Sequence, residues 1–192
     1  MDHKKQSGFT LIEMIGVMAV IAILASAAAP RVFDAIEDAK VSKLVQQVQT
    51  MKTASSKYYA DTGTYPLYYT ASNNHYYHSL MFKDSANTSG VERKGWNGPY
   101  VDKEPEHPVT PGALQYLVNT TNAAYVCDAD GDGATEGPWL SYRFDGMSLK
   151  TMEKVSNIID GDGGDANWGK HGLVKQYNEN HSSIMIVCLN RT

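Results

Sequence analysis

The distribution of apolar residues divides the chain into a hydrophobic N-terminal segment and a polar remainder. From Phe9 to Ala29, 17 of 21 residues are hydrophobic. A helix of about 20 apolar residues, rising about 1.5 Å per residue, spans a bilayer core of about 30 Å. Lys4 and Lys5 precede the segment, and a short basic flank favours a cytoplasmic N-terminus. The pattern predicts a single membrane-spanning helix over 9–29, although a cleaved secretory signal shares most of these features.

A helical pattern continues past Pro30. Apolar residues recur in steps of three and four, as on one face of an α-helix; they are Val41, Leu44, Val45, Val48, Met51, Ala54 and Tyr58. The period predicts one helix from Phe9 to about Tyr59, in which residues 30–60 form an amphipathic continuation. Glycine, threonine and proline between Asp61 and Pro66 predict its end.

Residues 61–192 have the pattern of a globular domain with short strands. Extended segments are predicted at Leu114–Val118, Ala123–Cys127, Trp139–Phe144 and Ser183–Leu189, and a short helix at Met147–Ile159. The resulting fold class is α+β, with a long N-terminal α-helix packed on a small antiparallel β-sheet.

The composition of the chain excludes several classes of protein. Seventeen basic and 21 acidic residues give a net charge of -4, which argues against a nucleic-acid partner because such proteins usually carry a basic face. A mean hydropathy of -0.38 excludes a polytopic membrane protein. Two cysteines exclude a disulfide-dense miniprotein, and no serine-histidine-aspartate motif, phosphate loop or dinucleotide fingerprint points to an enzyme.

One charged side chain, Glu13, interrupts the apolar segment. A carboxylate inside a membrane costs about 2.5–3.5 kcal/mol on insertion scales, so Glu13 either lies near the headgroups or has a partner. The sequence Gly8-Phe9-Thr10-Leu11-Ile12-Glu13, after a short basic leader and before an apolar helix, resembles the class III signal of type IV prepilins and pseudopilins.

The resemblance implies processing and assembly. A prepilin peptidase would remove the leader, residues 1–8, by cleaving after Gly8, and would methylate the new amine of Phe9. Glu13 would then neutralise the Phe9 amine of an adjacent subunit within a helical homo-oligomeric filament, which an inner-membrane assembly platform builds. The implied fold is pilin-like, and the implied role is structural rather than enzymatic.

The same resemblance implies a location. The subunit would cross the bacterial inner membrane once before assembly, and would afterwards lie in an extracellular pilus or a periplasmic pseudopilus. The stretch Lys94–Val101, with Gly98-Pro99-Tyr100, resembles the loop before the sheet in the major pseudopilin of type II secretion. That family has aspartate-proline-tryptophan where this chain has His107-Pro108-Val109, so the match is partial.

An acidic loop gives the main candidate metal site. Carboxylates stand at positions one, three and five of the loop (Asp128, Asp130 and Asp132), followed by Gly133 and by Glu136 at position nine. This spacing resembles the first half of a calcium loop, and a donor set of oxygen atoms suits calcium rather than zinc. Trp139 occupies position twelve, so this is not an EF-hand. The alternative is a solvated acidic turn.

A second acidic loop contains Asp160, Asp162 and Asp165. Major pseudopilins carry a structural calcium site in a glycine- and aspartate-rich C-terminal loop, and the resemblance leaves open which of the two loops corresponds to it.

The two cysteines, Cys127 and Cys188, fall in predicted strands outside the membrane. An oxidising compartment favours a disulfide between them, whereas the alternative is two buried thiols.

The sequence therefore predicts the structural subunit of a type IV pilus-like filament with a calcium-stabilised head. A tyrosine-rich insertion and the 184 residues left after cleavage favour a pilin, and the two loop resemblances favour the major pseudopilin of a type II secretion system. A membrane-tethered calcium-dependent binding module that never polymerises is a further alternative. A secreted hydrolase, the last one, would instead be cleaved near Ala27–Ala29.

Overall fold

The fold is that of a computed structural model. It describes residues 9–66, 80, 94–103, 105–113, 115–120, 125–130, 132, 134, 137, 139–161, 172–177 and 183–191. The chain divides into two compact units, Met1–Ala39 and Lys40–Thr192. The boundary between the units lies within the first helix, so each unit contains part of it.

The first helix, α1, extends from Leu11 to Thr62 and is continuous through Pro30. It contains an 18-residue window of mean hydropathy 2.3, long and apolar enough to cross a membrane. Gly63 ends it, with φ of 72° and an N–H that donates to the Tyr59 carbonyl at 2.8 Å. A glycine in the left-handed region is a common helix stop because it has no Cβ to clash. The predicted helix, Phe9 to about Tyr59, is confirmed to within a few residues.

In the second unit, one face of α1 is buried. The buried residues are Val41, Leu44, Val48, Met51, Ala54, Ser55 and Tyr58, which include six of the seven predicted positions; the seventh, Val45, is partly buried against the same core. Fully burying a side chain such as Leu44 stabilises the fold by roughly 1.5–3 kcal/mol. The amphipathic period of α1 therefore reflects its packing against the globular core of the second unit.

A four-stranded antiparallel sheet packs in the same core. Its strands are β1 (Gln115–Thr120), β2 (Trp139–Phe144), β3 (Val174–Gln176) and β4 (Met185–Arg191), in the order β1-β2-β4-β3. Leu117 pairs with Tyr142, and Tyr142 pairs with Val187. These residues belong to the same hydrophobic cluster as the buried face of α1. The α+β class with a long helix and a small antiparallel sheet is confirmed.

One predicted strand, Ala123–Cys127, is wrong over its described part, residues 125–127. The backbone carbonyls of this segment accept hydrogen bonds from side chains instead of from a neighbouring strand. Ser141 Oγ donates to the Tyr125 carbonyl at 2.7 Å, and Lys175 Nζ donates to the Val126 carbonyl at 2.8 Å. Cys127 therefore lies in an irregular segment, whereas Cys188 lies in β4 as predicted.

Another helix of the described residues, labelled α2, extends from Leu149 to Ile159 and starts two residues later than predicted. Ser148 is its N-cap, and its side chain accepts from the N–H of Thr151 at 3.1 Å. A capping serine satisfies one of the free N–H groups at a helix start. Strand β3 has no counterpart in the sequence prediction because three residues are too few to show a period.

The Gly98-Pro99-Tyr100 loop is fastened to the end of α1 by Tyr100. Its hydroxyl donates to Asp61 Oδ2 at 2.7 Å, and its ring packs edge-on against Tyr58 with centroids 5.5 Å apart. A Cβ at Gly95 would clash with the Asp61 carbonyl oxygen. Glycine at position 95 therefore allows the loop to approach the helix backbone.

Candidate assembly and cation sites

The charged site near the N-terminus is a reciprocal cap at the start of α1. The backbone N–H of Thr10 donates to Glu13 Oε2 at 2.8 Å, and the Thr10 hydroxyl donates to the same oxygen at 2.7 Å. The Glu13 N–H in turn approaches Thr10 Oγ1 at 3.4 Å. This is a capping box, for which threonine and glutamate three residues apart are the sequence signature. The resemblance implied a partner for Glu13 in another subunit, and the partner within the same chain, Thr10, was not predicted.

The helix that follows exposes a large apolar surface. Phe9 is 86% exposed. The other large apolar side chains of the first unit are also exposed; they are Leu11, Ile12, Met14, Ile15, Val17, Met18, Val20, Ile21, Ile23, Leu24, Val32, Phe33 and Ile36. Contiguous apolar patches of this size mark a surface that contacts lipid or another protein. Gly8, the predicted cleavage position, lies outside the described residues.

The three aspartates of the first acidic loop converge. One carboxylate oxygen from each of Asp128, Asp130 and Asp132 lies within 4.8 Å of the other two. Calcium binds oxygen ligands at about 2.3–2.6 Å, so ligands on opposite sides of the ion are about 5 Å apart. The spacing of these oxygens, and the absence of nitrogen or sulfur among the three donors, therefore fit a calcium ion.

Local hydrogen bonds fold the first acidic loop into tight turns. The N–H of Asp132 donates to Asp130 Oδ1 at 3.2 Å, and the N–H of Ala134 donates to Asp132 Oδ1 at 2.7 Å. Such contacts from an aspartate to the backbone two residues on produce tight turns. Asp128, in contrast, is only 2% exposed, so the group has one buried and two exposed members.

A disulfide holds the buried end of this group. Cys127, directly before Asp128, is bonded to Cys188 of β4, with their Cα atoms 6.2 Å apart. The N–H of Gly172 also donates to the Asp128 carbonyl at 2.7 Å. The disulfide is present as predicted. Asp128 is therefore held close to β4 through its neighbour Cys127, and close to the start of β3 through Gly172.

The first aspartate of the second loop has a structural role. Asp160 Oδ1 accepts from the N–H of Leu173 at 2.8 Å, and Oδ2 accepts from the N–H of Val174 at 3.0 Å. Gly172, with φ of 91°, leaves room for this carboxylate, because a Cβ there would lie 2.7 Å from Asp160 Cγ. Asp160 thus fastens the end of α2 to the start of β3. The other predicted ligands, Glu136, Asp162 and Asp165, lie outside the described residues.

These features define a class of protein: a chain with an N-terminal helix apolar enough to cross a membrane and an α+β domain closed by a disulfide. Two family models match the chain. The model described as the prokaryotic N-terminal methylation motif matches residues 3–29, and the model described as the C-terminal part of PilW matches residues 35–131. No solved structure matches.

Curated relatives are pilins and a pseudopilin. The chain is 30% identical to type II secretion system core protein G of Pseudomonas aeruginosa, over 71% of this chain and 91% of the relative. It is 30% identical to fimbrial protein EcpC of Eikenella corrodens, over 66% and 85%. It is 32% identical to the type IV major pilin protein PilE of Neisseria gonorrhoeae, over 61% and 59%.

The chain therefore belongs to the type IV pilin and pseudopilin family. Members of this family are structural subunits, so the chain is a pilin-like filament subunit and not an enzyme. The N-terminal methylation motif and the apolar part of α1 fit processing by a prepilin peptidase and anchoring in a membrane before assembly.

Proposed function

We propose that this chain is the structural subunit of a type IV pilus-like filament at the cell surface, with a head ordered by calcium. The observation that carries the proposal is a covalently closed head, tied by Cys127–Cys188, on a helix that bears the methylation motif. A disulfide persists in oxidising environments outside the cytoplasm. The alignment to core protein G leaves more than a quarter of this chain unmatched, which favours a larger head than that of the pseudopilin.

Assembly would proceed through α1. Cleavage after Gly8 frees the amine of Phe9, and the Glu13 carboxylate of a neighbouring subunit pairs with it in an apolar core. The pairing would be selective because an unpaired charge is strongly disfavoured where the surroundings exclude water. The exposed apolar side chains of the first unit would leave lipid and pack against other copies of the helix.

Mass spectrometry of the mature N-terminus and electron microscopy of sheared surface material test this role together. We expect N-methylated phenylalanine at Phe9 and surface filaments that disappear when the gene is deleted. A mature chain that starts after Ala29 would overturn the filament proposal. Correct processing without surface filaments, together with loss of protein secretion on deletion, would point to a periplasmic pseudopilus.

That second role has its own support. The alignment to core protein G covers 91% of the relative, and the Gly98-Pro99-Tyr100 loop that resembles the pseudopilin loop is fixed to α1 through Tyr100 and Asp61. Microscopy and the secretion assay separate the two roles because a pseudopilus remains in the periplasm.

Calcium would order the first acidic loop. Asp128, Asp130 and Asp132 would hold the ion, and its charge would offset the repulsion of three neighbouring carboxylates. An ion that binds only the folded state stabilises it by about 2.7 kcal/mol at a concentration 100 times its Kd. For a chain of this size, that corresponds to a rise in Tm of roughly 5–10 °C.

Thermal unfolding of the full chain in detergent, with calcium and with chelator, tests the ion separately from the filament. We expect a higher Tm with calcium, and no difference in a chain with Asp130→Asn and Asp132→Asn. Asp102→Asn, an exposed aspartate outside the group, is the matched control and should keep the full shift. Equal Tm values for the unmodified chain would remove the calcium proposal and leave the filament proposal intact.

A further inference from the structure

A groove of the second unit lies between α1 and residues 100–103 and 105. It consists of two adjoining cavities of about 390 and 360 Å³, which share Gln46, Thr50 and Tyr100 in their walls. The helical wall extends from Lys43 to Lys57, about 21 Å at 1.5 Å per residue. The groove is therefore long enough for a segment of polypeptide.

The chemistry of the groove is apolar at its floor and basic at its rim. Tyr100, Val101 and Pro105 are half-buried and contribute the apolar part. Three exposed lysines line the groove, Lys43, Lys57 and Lys103, against one aspartate, Asp102. Within the ranges that the structure describes, none of the three lysines forms an ion pair. An occupant should therefore be acidic and should bring apolar side chains.

The first unit offers such a segment on α1, between Val32 and Asp38. Its apolar side chains are well exposed, at 53% for Val32, 70% for Phe33 and 48% for Ile36. Its acidic side chains are Asp34, Glu37 and Asp38. At 100° per residue, the three apolar residues lie on one side of the helix and the three acidic residues on the adjacent side. The segment matches the groove in both charge and apolar character.

We propose that the groove of one subunit binds the Val32–Asp38 segment of a second copy of this chain. Phe33 and Ile36 would cover the apolar floor, while Asp34 and Asp38 would face the lysines of the rim. Because the two surfaces are different parts of the same chain, the contact is heterologous, and contacts of this kind propagate into open helical filaments when the rotation does not close. The proposal rests on the filament role of the family and adds a specific contact to it.

Charge reversal in the full-length chain tests this contact. We expect Lys57→Glu with Lys103→Glu to reduce the yield of sheared filaments by about fivefold or more, because two exposed ion pairs together are worth on the order of 1 kcal/mol and reversal adds repulsion. Asp34→Lys with Asp38→Lys should cause a similar loss, and the four changes together should restore most of the yield. Lys52→Glu, on the same helix but outside the groove, should assemble normally.

Cysteine cross-linking gives an independent measurement that does not depend on yield. In cells that express both an Asp38→Cys chain and a Lys57→Cys chain, oxidation should produce a dimer that neither chain forms by itself. An undiminished yield for the lysine reversals, or no mixed dimer in filaments that do assemble, would overturn the proposal. Loss of binding to anionic vesicles with unchanged assembly would also overturn it, since the groove would then take a lipid headgroup. Failure of the filament role itself would appear separately, as no filaments from the unmodified chain.

Discussion

The Nδ1 atom of His107 accepts a hydrogen bond from the backbone N–H of Thr110 at 2.9 Å. The Val109 N–H approaches the same atom at 3.3 Å, and the ring packs edge-on against Phe144 with centroids 5.7 Å apart. A nitrogen that accepts cannot carry a proton, so this turn requires a neutral imidazole. Burial lowers the pKa of His107, and the proximity of Asp145 raises it in part.

We therefore expect the head to lose stability in mild acid. The folded-state pKa of His107 lies below that of the unfolded chain, so the unfolded chain takes up the proton first as the pH falls. The contribution of His107 to the free energy of unfolding is fully present above about pH 6.5. As the pH falls from there towards the folded-state pKa, this contribution is lost at up to about 1.4 kcal/mol per pH unit. Urea unfolding in detergent at pH 7.5, 6.5 and 5.5 measures the slope. His107→Asn, which keeps an acceptor but does not titrate, should flatten it; an unchanged slope would contradict the assignment.

Gly172→Ala should destabilise the head strongly. The new Cβ would occupy the space of the Asp160 carboxylate, at 2.7 Å from Cγ, and φ there is 91°. The hydrogen bonds that two backbone N–H groups donate to Asp160 would be lost, at about 1.5–3 kcal/mol each for bonds to a charged group. The left-handed conformation would cost about 1–2 kcal/mol in addition.

Gly63→Ala is the matched control for that variant. Gly63 also has a positive φ, 72°, but a Cβ there would meet nothing within 4 Å. Its free energy of unfolding should fall only by the conformational cost, about 1–2 kcal/mol. If denaturant titration gives equal losses for the two variants, the contact with Asp160 does not stabilise the head.

Removing the disulfide should also lower the free energy of unfolding. Cys127 and Cys188 are 61 positions apart, and closing a loop of that length is worth about 4 kcal/mol in the chain-entropy model. A chain with Cys127→Ser and Cys188→Ser should unfold at lower denaturant concentration, and the unmodified chain should match it once reduced. A further shift on adding reductant to the double variant would show that the reductant acts elsewhere.

The capping box predicts separate effects for Thr10 and Glu13. Glu13→Ala removes both the cap and the charge, so processing should continue while assembly is lost. Thr10→Ala should cost about 1 kcal/mol of helix stability and reduce assembly only in part, and Thr10→Ser should restore it. Quantifying processed and sheared protein checks these outcomes. Normal assembly of the Glu13→Ala chain would contradict the role of the Glu13 carboxylate in filament assembly.

Much of the fold was predictable because its signals are local. The helical period from Val41 to Tyr58 and the alternation in Trp139–Phe144 lie in contiguous sequence, and both elements appear where they were expected. The segment 125–127 was mistaken for a strand because its composition is apolar, while its hydrogen-bond partners, Ser141 and Lys175, are distant in sequence.

The candidate sites also combine local features, which the sequence predicts, with contacts between distant residues, which it does not. By itself, the sequence determined the apolar helix, the Gly8-Phe9-Glu13 motif and the 1-3-5 spacing of the aspartates, since each depends only on neighbouring residues. The tertiary structure decided that Asp160 accepts hydrogen bonds from the backbone of Leu173 and Val174, and that a groove lined by lysines opens beside α1. These relationships arise where separate elements pack together, and no periodicity along the chain encodes which side chains meet there.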